Sequence, residues 1–268
     1  MMVASSAIIK KTAKTLMRGK WIRYCAISLV PIFLTLSCIL ISELYLYSPE
    51  LKYVYWAAAV LLGVFLLAPL YLGTLRVFWR MYMGVDDDIV ALFYYFGDIT
   101  LYKRALGLIF RSLARLIGFG TIFSLPAIVT RILSSNKFYD TIGFEMPEFA
   151  ASLGVVSNVF SVLGLTITLF VVLRWYLAPF FFVADEGMEP AEAMHMANVM
   201  SKCTYVDFIS LIICCLHWIL LCTLCLPAPV TLPYLMNIYL VHARFATAKY
   251  NNTVEQLTNN DSQVFAVG

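Results

Sequence analysis

The longest uncharged stretch of the chain covers residues 208–243, which contain no aspartate, glutamate, lysine or arginine. A single straight helix over these 36 residues would be about 54 Å long, at a rise of about 1.5 Å per residue. That length exceeds the hydrocarbon core of a bilayer, which is about 30 Å thick. Pro227 and Pro229 lie within the stretch, where each removes a backbone donor and interrupts a helix. The pattern therefore predicts two membrane-spanning helices joined by a very short turn at the prolines.

Four further apolar stretches precede this one, and each is long enough to cross a bilayer. Trp56 and Trp79 flank the second of them, as is typical of helices that end at a membrane interface. The sequence therefore predicts an all-α polytopic membrane protein with six transmembrane helices and short cytoplasmic interfacial helices. The predicted spans lie within a transmembrane domain of residues 21–250, near residues 23–43, 54–78, 112–132, 150–175, 208–226 and 230–249.

Small residues recur every three or four positions in the fourth predicted span, at Gly154, Ser157, Ser161 and Gly164. In membranes, such spacing lets two helix backbones approach closely. We therefore expect this helix to lie centrally in the helix bundle, where such close approach is needed.

Two short segments between the spans are predicted to be interfacial helices, near residues 86–97 and 189–202. The first begins with three consecutive aspartates, Asp86, Asp87 and Asp88. Aspartate at a helix start can cap free N–H groups and interact favourably with the helix dipole. A metal site is the alternative, but consecutive helical side chains point about 100° apart and need further ligands to surround one ion. We therefore expect the aspartates to cap the first of these helices.

Both ends of the chain are polar. Residues 1–20 place Ile9, Ala13 and Met17 near one side of a helix and lysines near the other, which predicts a basic amphipathic helix. This helix is expected to lie on the membrane and to contact anionic lipid headgroups. It is not expected to be a cleaved signal, because the apolar run that follows is too long and no small-residue cleavage site ends it. Residues 251–268 lack a helical pattern and are predicted to form a polar C-terminal tail.

Composition and charge favour a location in a membrane. Hydrophobic residues make up 62% of the chain and charged residues 13%, against about 45–50% and about 25% in soluble proteins. With both termini in the cytoplasm, only Lys52, Arg131 and Lys137 of the 19 lysines and arginines fall outside. This bias predicts a multi-pass protein of the cell membrane with both termini cytoplasmic. The basic residues follow the membrane edges instead of forming one patch, so no nucleic-acid partner is expected.

Motifs that would carry chemistry are scarce. The seven cysteines lie mostly in apolar runs and lack the spacing of a disulfide framework. Cys222 and Cys225 form a CxxC, but no second pair accompanies them, so packing is favoured over metal or redox chemistry. The chain has no HExxH, no GxSxG, no phosphate-binding glycine loop and no paired carboxylates within a predicted span. We therefore predict that the chain is not an enzyme and holds no cofactor or metal.

Polar residues within or beside the predicted spans are the candidates for a ligand or lipid-headgroup site. Arg104, Arg111 and Arg115 fall on one helical face and form a basic stripe that could receive an anionic ligand or headgroup. The alternative is anchoring at the membrane edge, with each arginine snorkelling toward water. The other candidates can each bind a ligand or bond to a neighbouring helix: Asn158, His217 and Asn237.

Two functional hypotheses follow from this distribution of polar residues. The first is a non-catalytic membrane protein that acts through protein or lipid partners, because nearly all distinctive polar patterning lies on the predicted cytoplasmic face. The second is a small permease or transport component. Its cavity would be lined by five of the candidate residues: Arg111, Arg115, Asn158, His217 and Asn237.

Short motifs along most of the chain also suggest a family. They surround the predicted spans and interfacial helices: Ala13-Lys14, Leu16, Gly19-Lys20-Trp21, Pro69-Leu70, Gly73, Leu92-Phe93, Phe96, the helix over 192–201, Trp218 and Pro233-Tyr234. In these motifs the chain resembles a bacterial family of integral membrane proteins that carries a domain-of-unknown-function label, number nine-seven-five. The last hairpin departs from the family pattern, because Pro227 and Pro229 stand where a glycine-containing turn is expected. The resemblance implies six spans and a bacterial cytoplasmic membrane, and it implies no established activity.

Overall fold

The computed structural model describes residues 6–46, 48–135, 147–224 and 227–266. Within these ranges the chain is almost entirely helical and has no strand. By length and composition, five helical segments could cross a membrane: Trp21–Glu43, Lys52–Tyr82, Ile99–Leu133, Ala151–Ala184 and Pro190–Cys222. The prediction of an all-α chain with several membrane spans is confirmed at this level, while the count of six stays a prediction.

The described helices, in chain order, are α1 Ser6–Met17, α2 Trp21–Glu43, α3 Lys52–Leu62, α4 Ala68–Tyr82, α5 Ile99–Leu133, α6 Pro147–Val172, α7 Ala178–Ala184, α8 Pro190–Cys222 and α9 Ala228–Ala266. A π-helical turn at Gly63–Leu67 joins α3 to α4. Short 3₁₀ segments lie at Leu44–Leu46, Pro49–Leu51, Ile89–Phe96 and Leu173–Trp175. The chain divides into two compact units: a larger unit, Met1–Ile109 with Leu177–Gly268, and a hairpin unit, Phe110–Tyr176.

Helix α4 lies at the core of the larger unit. Leu70, Val77 and Phe78 of this helix are fully buried. The Tyr24 ring of α2 makes a T-shaped contact with the Phe78 ring, with the ring centroids 5.0 Å apart. On the other side, Trp79 meets Phe180 of α7 at a centroid distance of 5.1 Å. Helices from both halves of the chain therefore pack against α4.

Helix α1 is amphipathic, as its residue pattern predicts, but its apolar side packs against protein. Ile9 and Ala13 are buried in a cluster with Leu211 and Cys215 of α8 and with Ile238 and Val241 of α9. The expectation that this stripe faces the bilayer is therefore corrected. The physical reason is that apolar burial is non-directional, so a neighbouring helix pair satisfies the stripe as well as acyl chains do.

The second predicted interfacial helix, near residues 189–202, is not a separate element. It forms the first half of α8, which continues without interruption from Pro190 to Cys222. Pro190 begins this helix, where a missing N–H costs little, as its position predicts. No proline or glycine follows before Cys222, so nothing in the backbone separates the polar half of the helix from the apolar half.

The predicted polar tail is also corrected, since α9 remains helical through Ala266. Residues 251–266 are polar, but they contain no proline or glycine that would stop a helix already started by the preceding apolar segment. Residues 225–226, the last two of the predicted span 208–226, and residues 267–268 of the predicted tail lie outside the described residues.

The hairpin unit consists of the greater part of α5 packed antiparallel against α6. Buried Ser157 donates a hydrogen bond to the Ala127 carbonyl across the helix pair, at 2.9 Å. At Gly164 the helices are so close that a Cβ would lie 2.6 Å from the Phe123 carbonyl oxygen. The close approach that the small residues of the fourth span predict is therefore confirmed for this helix pair, while the central position of the span in the bundle stays a prediction.

Candidate functional site

A cluster of charged side chains joins several elements of the larger unit. We call it the charged cluster, and it is made of Lys20, Arg23, Arg76, Arg80, Asp86, Asp87, Arg104 and Glu186. Its members come from the start of α2, from α4, from the loop after α4, from the start of α5 and from the turn before α8. The cluster therefore connects segments that are far apart in sequence.

Arg76 is the most buried charge of the cluster, with only 4% of the residue exposed. Its guanidinium Nε donates to Glu186 Oε1 at 3.1 Å, and Nη2 bonds to the same oxygen. The guanidinium also lies 3.6 Å from the centroid of the Tyr94 ring. Burying a charge is costly unless it is paired, so the carboxylate and the ring together keep Arg76 in place.

Glu186 and Tyr94 complete this contact. The Tyr94 hydroxyl donates to Glu186 Oε2 at 3.3 Å. The hydrogen bond from Arg76 holds the pKa of Glu186 below its ordinary value, so the carboxylate stays ionised. Burial, followed by the charge of Glu186, raises the pKa of Tyr94, so its hydroxyl stays protonated and able to donate. Glu186 is therefore an ionised acceptor, and Tyr94 is a protonated donor to it.

Arg104, a predicted ligand candidate, serves the backbone of the turn before α8. Its guanidinium donates to the carbonyl of Glu186 at 3.0 Å and to the carbonyl of Met188 at 2.6 Å. Its Nε lies 3.9 Å from a carboxylate oxygen of Glu189. In the same turn, the Gly187 amide donates to the Asp185 side chain at 2.9 Å. Arg104 therefore holds in place the turn that presents Glu186 to Arg76.

The loop after α4 is shaped by a glycine. Gly84 has a φ of 86°, its amide donates to the Met81 carbonyl, and the Val85 amide donates to the Arg80 carbonyl. This pair of bonds is the Schellman motif that commonly ends a helix at glycine. The reversal directs the following aspartates back toward α2 and α4.

The aspartates of this loop form ion pairs instead of the predicted helix cap. Asp86 lies 3.0 Å from Lys20 and 3.1 Å from Arg23, and Asp87 lies 2.8 Å from Arg80. The hydrogen bond from Lys20 lowers the pKa of Asp86. Asp88 precedes the 3₁₀ segment and makes no side-chain cap bond. The prediction of capping is therefore wrong, because nearby cations of α2 and α4 offer the carboxylates a stronger partner than peptide N–H groups.

The first predicted interfacial helix is the 3₁₀ segment Ile89–Phe96, and it is fastened to the larger unit. Leu92 is fully buried, and its carbonyl lies so close to Gly73 of α4 that a Cβ there would overlap the oxygen. Tyr95 stacks on Phe182 of α7 with the ring centroids 5.7 Å apart. Ile89, Val90 and Phe93 are exposed. The segment therefore has one side packed on protein and an apolar side left free.

Two further predicted candidates lie in the larger unit. Asn237 is fully buried, and its amide nitrogen donates to the Pro233 carbonyl of the same helix at 2.9 Å. His217 is exposed, with its ring 5.3 Å from that of Trp218. Arg104, Asn237 and His217 contact different partners among the described residues, so these contacts do not bring them together in one site.

The remaining candidates lie in the hairpin unit. The Arg115 guanidinium lies 4.6 Å from the centroid of the Trp175 ring, and Arg111 is exposed near it on the same helix. Asn158 is exposed, and the bond between α5 and α6 is made by its neighbour Ser157. The permease hypothesis, which needs Asn158 and both arginines in one cavity with His217 and Asn237, stays a prediction.

Within the described part of the chain, no three histidine, cysteine, aspartate or glutamate side chains are placed to hold a metal ion. No family model matches the chain, and no curated protein or solved structure is significantly similar to it. The resemblance to the integral membrane family noted from the sequence therefore stays a prediction.

Sequence reasoning did not select Arg76, Glu186, Tyr94 or Trp175. One signal was available for Arg76, because it lies within the predicted span 54–78, and an ionisable residue inside a span needs a partner. Glu186 could not be identified as that partner, since it is 110 positions away. Trp175 resembles any interfacial tryptophan until its contact with Arg115 is known.

Proposed function

We propose that this chain is an integral protein of the cell membrane that crosses the bilayer six times, with both termini in the cytoplasm. Five apolar helical segments support this topology. The sixth span would be the first part of α9, whose residues 228–243 carry no charge. The excess of lysine and arginine on one set of connections supports the orientation.

Whether α9 spans the membrane can be tested by the accessibility of the chain ends. Single cysteines or short tags at each terminus would be labelled in intact cells and after permeabilisation. An even number of spans places both ends on one face, so neither end should react before permeabilisation. Labelling of one end only in intact cells would overturn the six-span topology in favour of an odd number of spans.

We further propose that the protein is not an enzyme and acts through protein or lipid partners at the cytoplasmic face. The observation that carries this proposal is the charged cluster. Its carboxylates and cations hold the loop after α4 and the turn before α8 in a single arrangement. Ordered loops present a defined surface, and the ion pairs of this cluster, around the buried Arg76, build that order. No described side chains in the cluster form a nucleophile–base pair of the kind that hydrolytic sites use.

Helix α1 supplies a binding surface for an anionic partner. Its apolar side is covered by α8 and α9, while Lys11, Lys14 and Arg18 are exposed. Lys10 is different, because its ammonium donates to the Cys214 carbonyl at 2.9 Å. The three exposed cations are therefore available for acidic lipid headgroups or an acidic protein surface.

Co-purification tests this surface. Deleting α1 would uncover the apolar cluster beneath it, so the sharper variant is Lys11→Gln with Lys14→Gln and Arg18→Gln, which changes exposed side chains only. Arg131→Gln, an exposed cation of the hairpin unit, is the control. The proposal expects a partner protein or bound anionic lipid from native membranes to be lost in the triple variant and retained in the control. Equal recovery from both variants would count against α1 as the docking element.

A further inference from the structure

One end of the hairpin unit concentrates positive charge. Arg111 and Arg115 lie on α5, and Arg174 lies in the 3₁₀ segment Leu173–Trp175 that follows α6. We call these residues with Trp175 the arginine end. The acids of the hairpin unit are confined to residues 140–148, in and beside the connection between α5 and α6. Among the described residues, none of the three arginines forms an ion pair.

Arg115 is held at this end by aromatic rings. Its guanidinium lies 4.6 Å from the centroid of the Trp175 ring, and Phe119 stacks on the same tryptophan at 5.9 Å. Its Nη1 is buried and has no hydrogen-bond partner among the described residues. The ring stabilises the cation without neutralising it or accepting its N–H groups in the ordinary way. Arg115 is therefore positioned but still lacks an acceptor.

The other two arginines, Arg111 and Arg174, add exposed positive charge to the arginine end. Arg111 is one helical turn from Arg115 and is exposed, and Arg174 is exposed beside Trp175 in the chain. Like charges at four-residue spacing repel one another on an isolated helix. An anion placed at Arg111 and Arg115 would relieve that repulsion and provide the missing acceptor, and Arg174 would add a third cation from the segment that carries Trp175.

The chemistry of the arginine end favours a phosphate. Guanidinium groups are weakly hydrated, stack on aromatic rings and bind phosphate oxygens through two parallel N–H bonds. Tryptophan is enriched where membrane helices meet the headgroup layer. The opposite end of the same helix carries Arg131, which is 16 positions and about 24 Å from Arg115 along the axis. This separation is shorter than the hydrocarbon core of about 30 Å, so each guanidinium reaches its own headgroup layer by extending its side chain along the membrane normal. The arginine end then lies at one membrane edge.

We propose that the arginine end binds the phosphate of an anionic phospholipid such as phosphatidylglycerol, with Arg111, Arg115 and Arg174 contacting its oxygens and Trp175 supporting Arg115. This inference rests on the proposed function, because it requires the hairpin unit to span the membrane. A soluble phosphate ester offers the same group, but it lacks the acyl chains that would lie along the exposed apolar residues of α5 and α6.

The experiment measures lipid selectivity of the full chain. The protein is reconstituted in phosphatidylcholine nanodiscs, and binding of a fluorescent phosphatidylglycerol is titrated for wild type, Arg111→Gln, the triple glutamine variant of the arginine end and Arg131→Gln. Each basic residue near a membrane surface contributes about fivefold to affinity for anionic lipid, so the triple variant should lose about a hundredfold. Arg131→Gln should lose nothing measurable. Arg111→Gln alone, which changes one exposed side chain, should lose about fivefold and remains informative if the triple variant fails to fold.

Glycerol phosphate added as a competitor separates the two sources of the anion. Little displacement at millimolar concentration supports a lipid site, whereas full displacement shows a site for a soluble phosphate and overturns the proposal. Equal losses in Arg131→Gln and Arg111→Gln would show general attraction to the membrane and would also overturn it. The labelling of the chain termini does not depend on this titration. If the termini show an even number of spans but the variants show no lipid selectivity, only the lipid site is rejected and the proposed topology stands.

Discussion

The two units of the chain use arginine in opposite ways. In the larger unit, Arg76 and Arg80 pair with carboxylates, and Arg104 donates to two backbone carbonyls. In the hairpin unit, Arg115 rests on Trp175, and Arg111 is exposed. Arginines whose donors are used within the fold stabilise it, whereas arginines without an acceptor remain available to something outside the chain. The same residue type therefore has a structural role in one unit and a proposed binding role in the other.

The units also differ in what brings their helices together. Long-range ion pairs hold the loops of the larger unit, while the described contacts between α5 and α6 are close backbone packing at Gly164 and one hydrogen bond from Ser157. We therefore expect the larger unit to respond to loss of charge and to acid. The hairpin unit should respond to added volume at its helix contact.

The largest expected effect is that of Gly164→Ala. The added methyl group would lie 2.6 Å from the Phe123 carbonyl oxygen and 3.3 Å from Ser124 Cα, so the helices must separate. We expect a loss of about 3 kcal/mol in stability, the upper end of the usual cost of overpacking. Thermal unfolding in detergent, followed by circular dichroism, would measure it.

Gly154→Ala in the same helix is the matched control, because a Cβ there meets nothing within 4 Å. Alanine should be neutral or should stabilise the helix by about 0.5–1 kcal/mol. If the two variants unfold at the same temperature, close packing does not hold the hairpin unit together.

The next effect is that of Glu186→Gln in the larger unit. The substitution keeps the shape of the side chain but leaves the Arg76 charge without its carboxylate, and the Arg76 side chain is only 5% exposed. Breaking a fully buried pair costs about 3–5 kcal/mol. Because half of the Glu186 side chain is exposed, water reduces the penalty, and we expect about 2 kcal/mol.

Glu192→Gln, at an exposed position in the first turn of α8, is the control for Glu186→Gln and should change stability very little. Denaturant unfolding of both variants would compare them. A Glu186→Gln midpoint equal to that of wild type would mean that the cluster does not stabilise the larger unit.

Acid should also lower the stability of the larger unit, as loss of the Glu186 carboxylate does. The folded-state pKa values of Glu186 and Asp86 lie below their ordinary values. The unfolded chain therefore takes up protons first, and the stabilisation from these carboxylates is complete above their ordinary pKa values and is lost as pH falls below about 4. Melting temperatures between pH 7 and pH 3 should fall further for wild type than for Glu186→Gln. Parallel curves would contradict the role of Glu186.

The smallest expected effect on stability is that of Arg111→Gln in the hairpin unit. Arg111 is exposed and forms no ion pair among the described residues, so unfolding should change by less than about 0.5 kcal/mol. The same variant is expected to bind anionic lipid less well. A substantial loss of stability would show that Arg111 supports the fold, and the contrast between the two units would fail.

The helices themselves follow closely from local sequence. Pro190 starts α8 at the position expected for a first-turn proline, and Gly84 ends α4 in the conformation that favours glycine. Small residues at helical spacing in α6 identify the face that packs against α5. These features depend on residues within one or two helical turns of each other, so periodicity is sufficient to find them.

The contacts of the candidate site can be predicted from local sequence much less well than the helices can. The sequence selects Arg104 as a ligand residue, but its Nη1 and Nη2 donate to the carbonyls of Glu186 and Met188, more than 80 positions away. The sequence predicts that Asp86 and Asp87 cap a helix, and they pair instead with cations of α4 and of the start of α2. In each case the local role is plausible, and a partner on another element forms a stronger charged contact, at seven positions for Asp87 and at more than 60 for Asp86 and Arg104.

The sequence alone determined that this chain is helical, that several of its helices are long and apolar enough to cross a membrane, and which face of α6 packs closely. Only the tertiary structure decided that α1 covers its apolar stripe with α8 and α9, and that Arg76 is neutralised by Glu186 while Arg115 is not neutralised among the described residues. The reason is physical. Helix formation depends on neighbours along the chain, whereas apolar burial accepts any apolar surface and charge pairing depends on distances that only the folded chain sets.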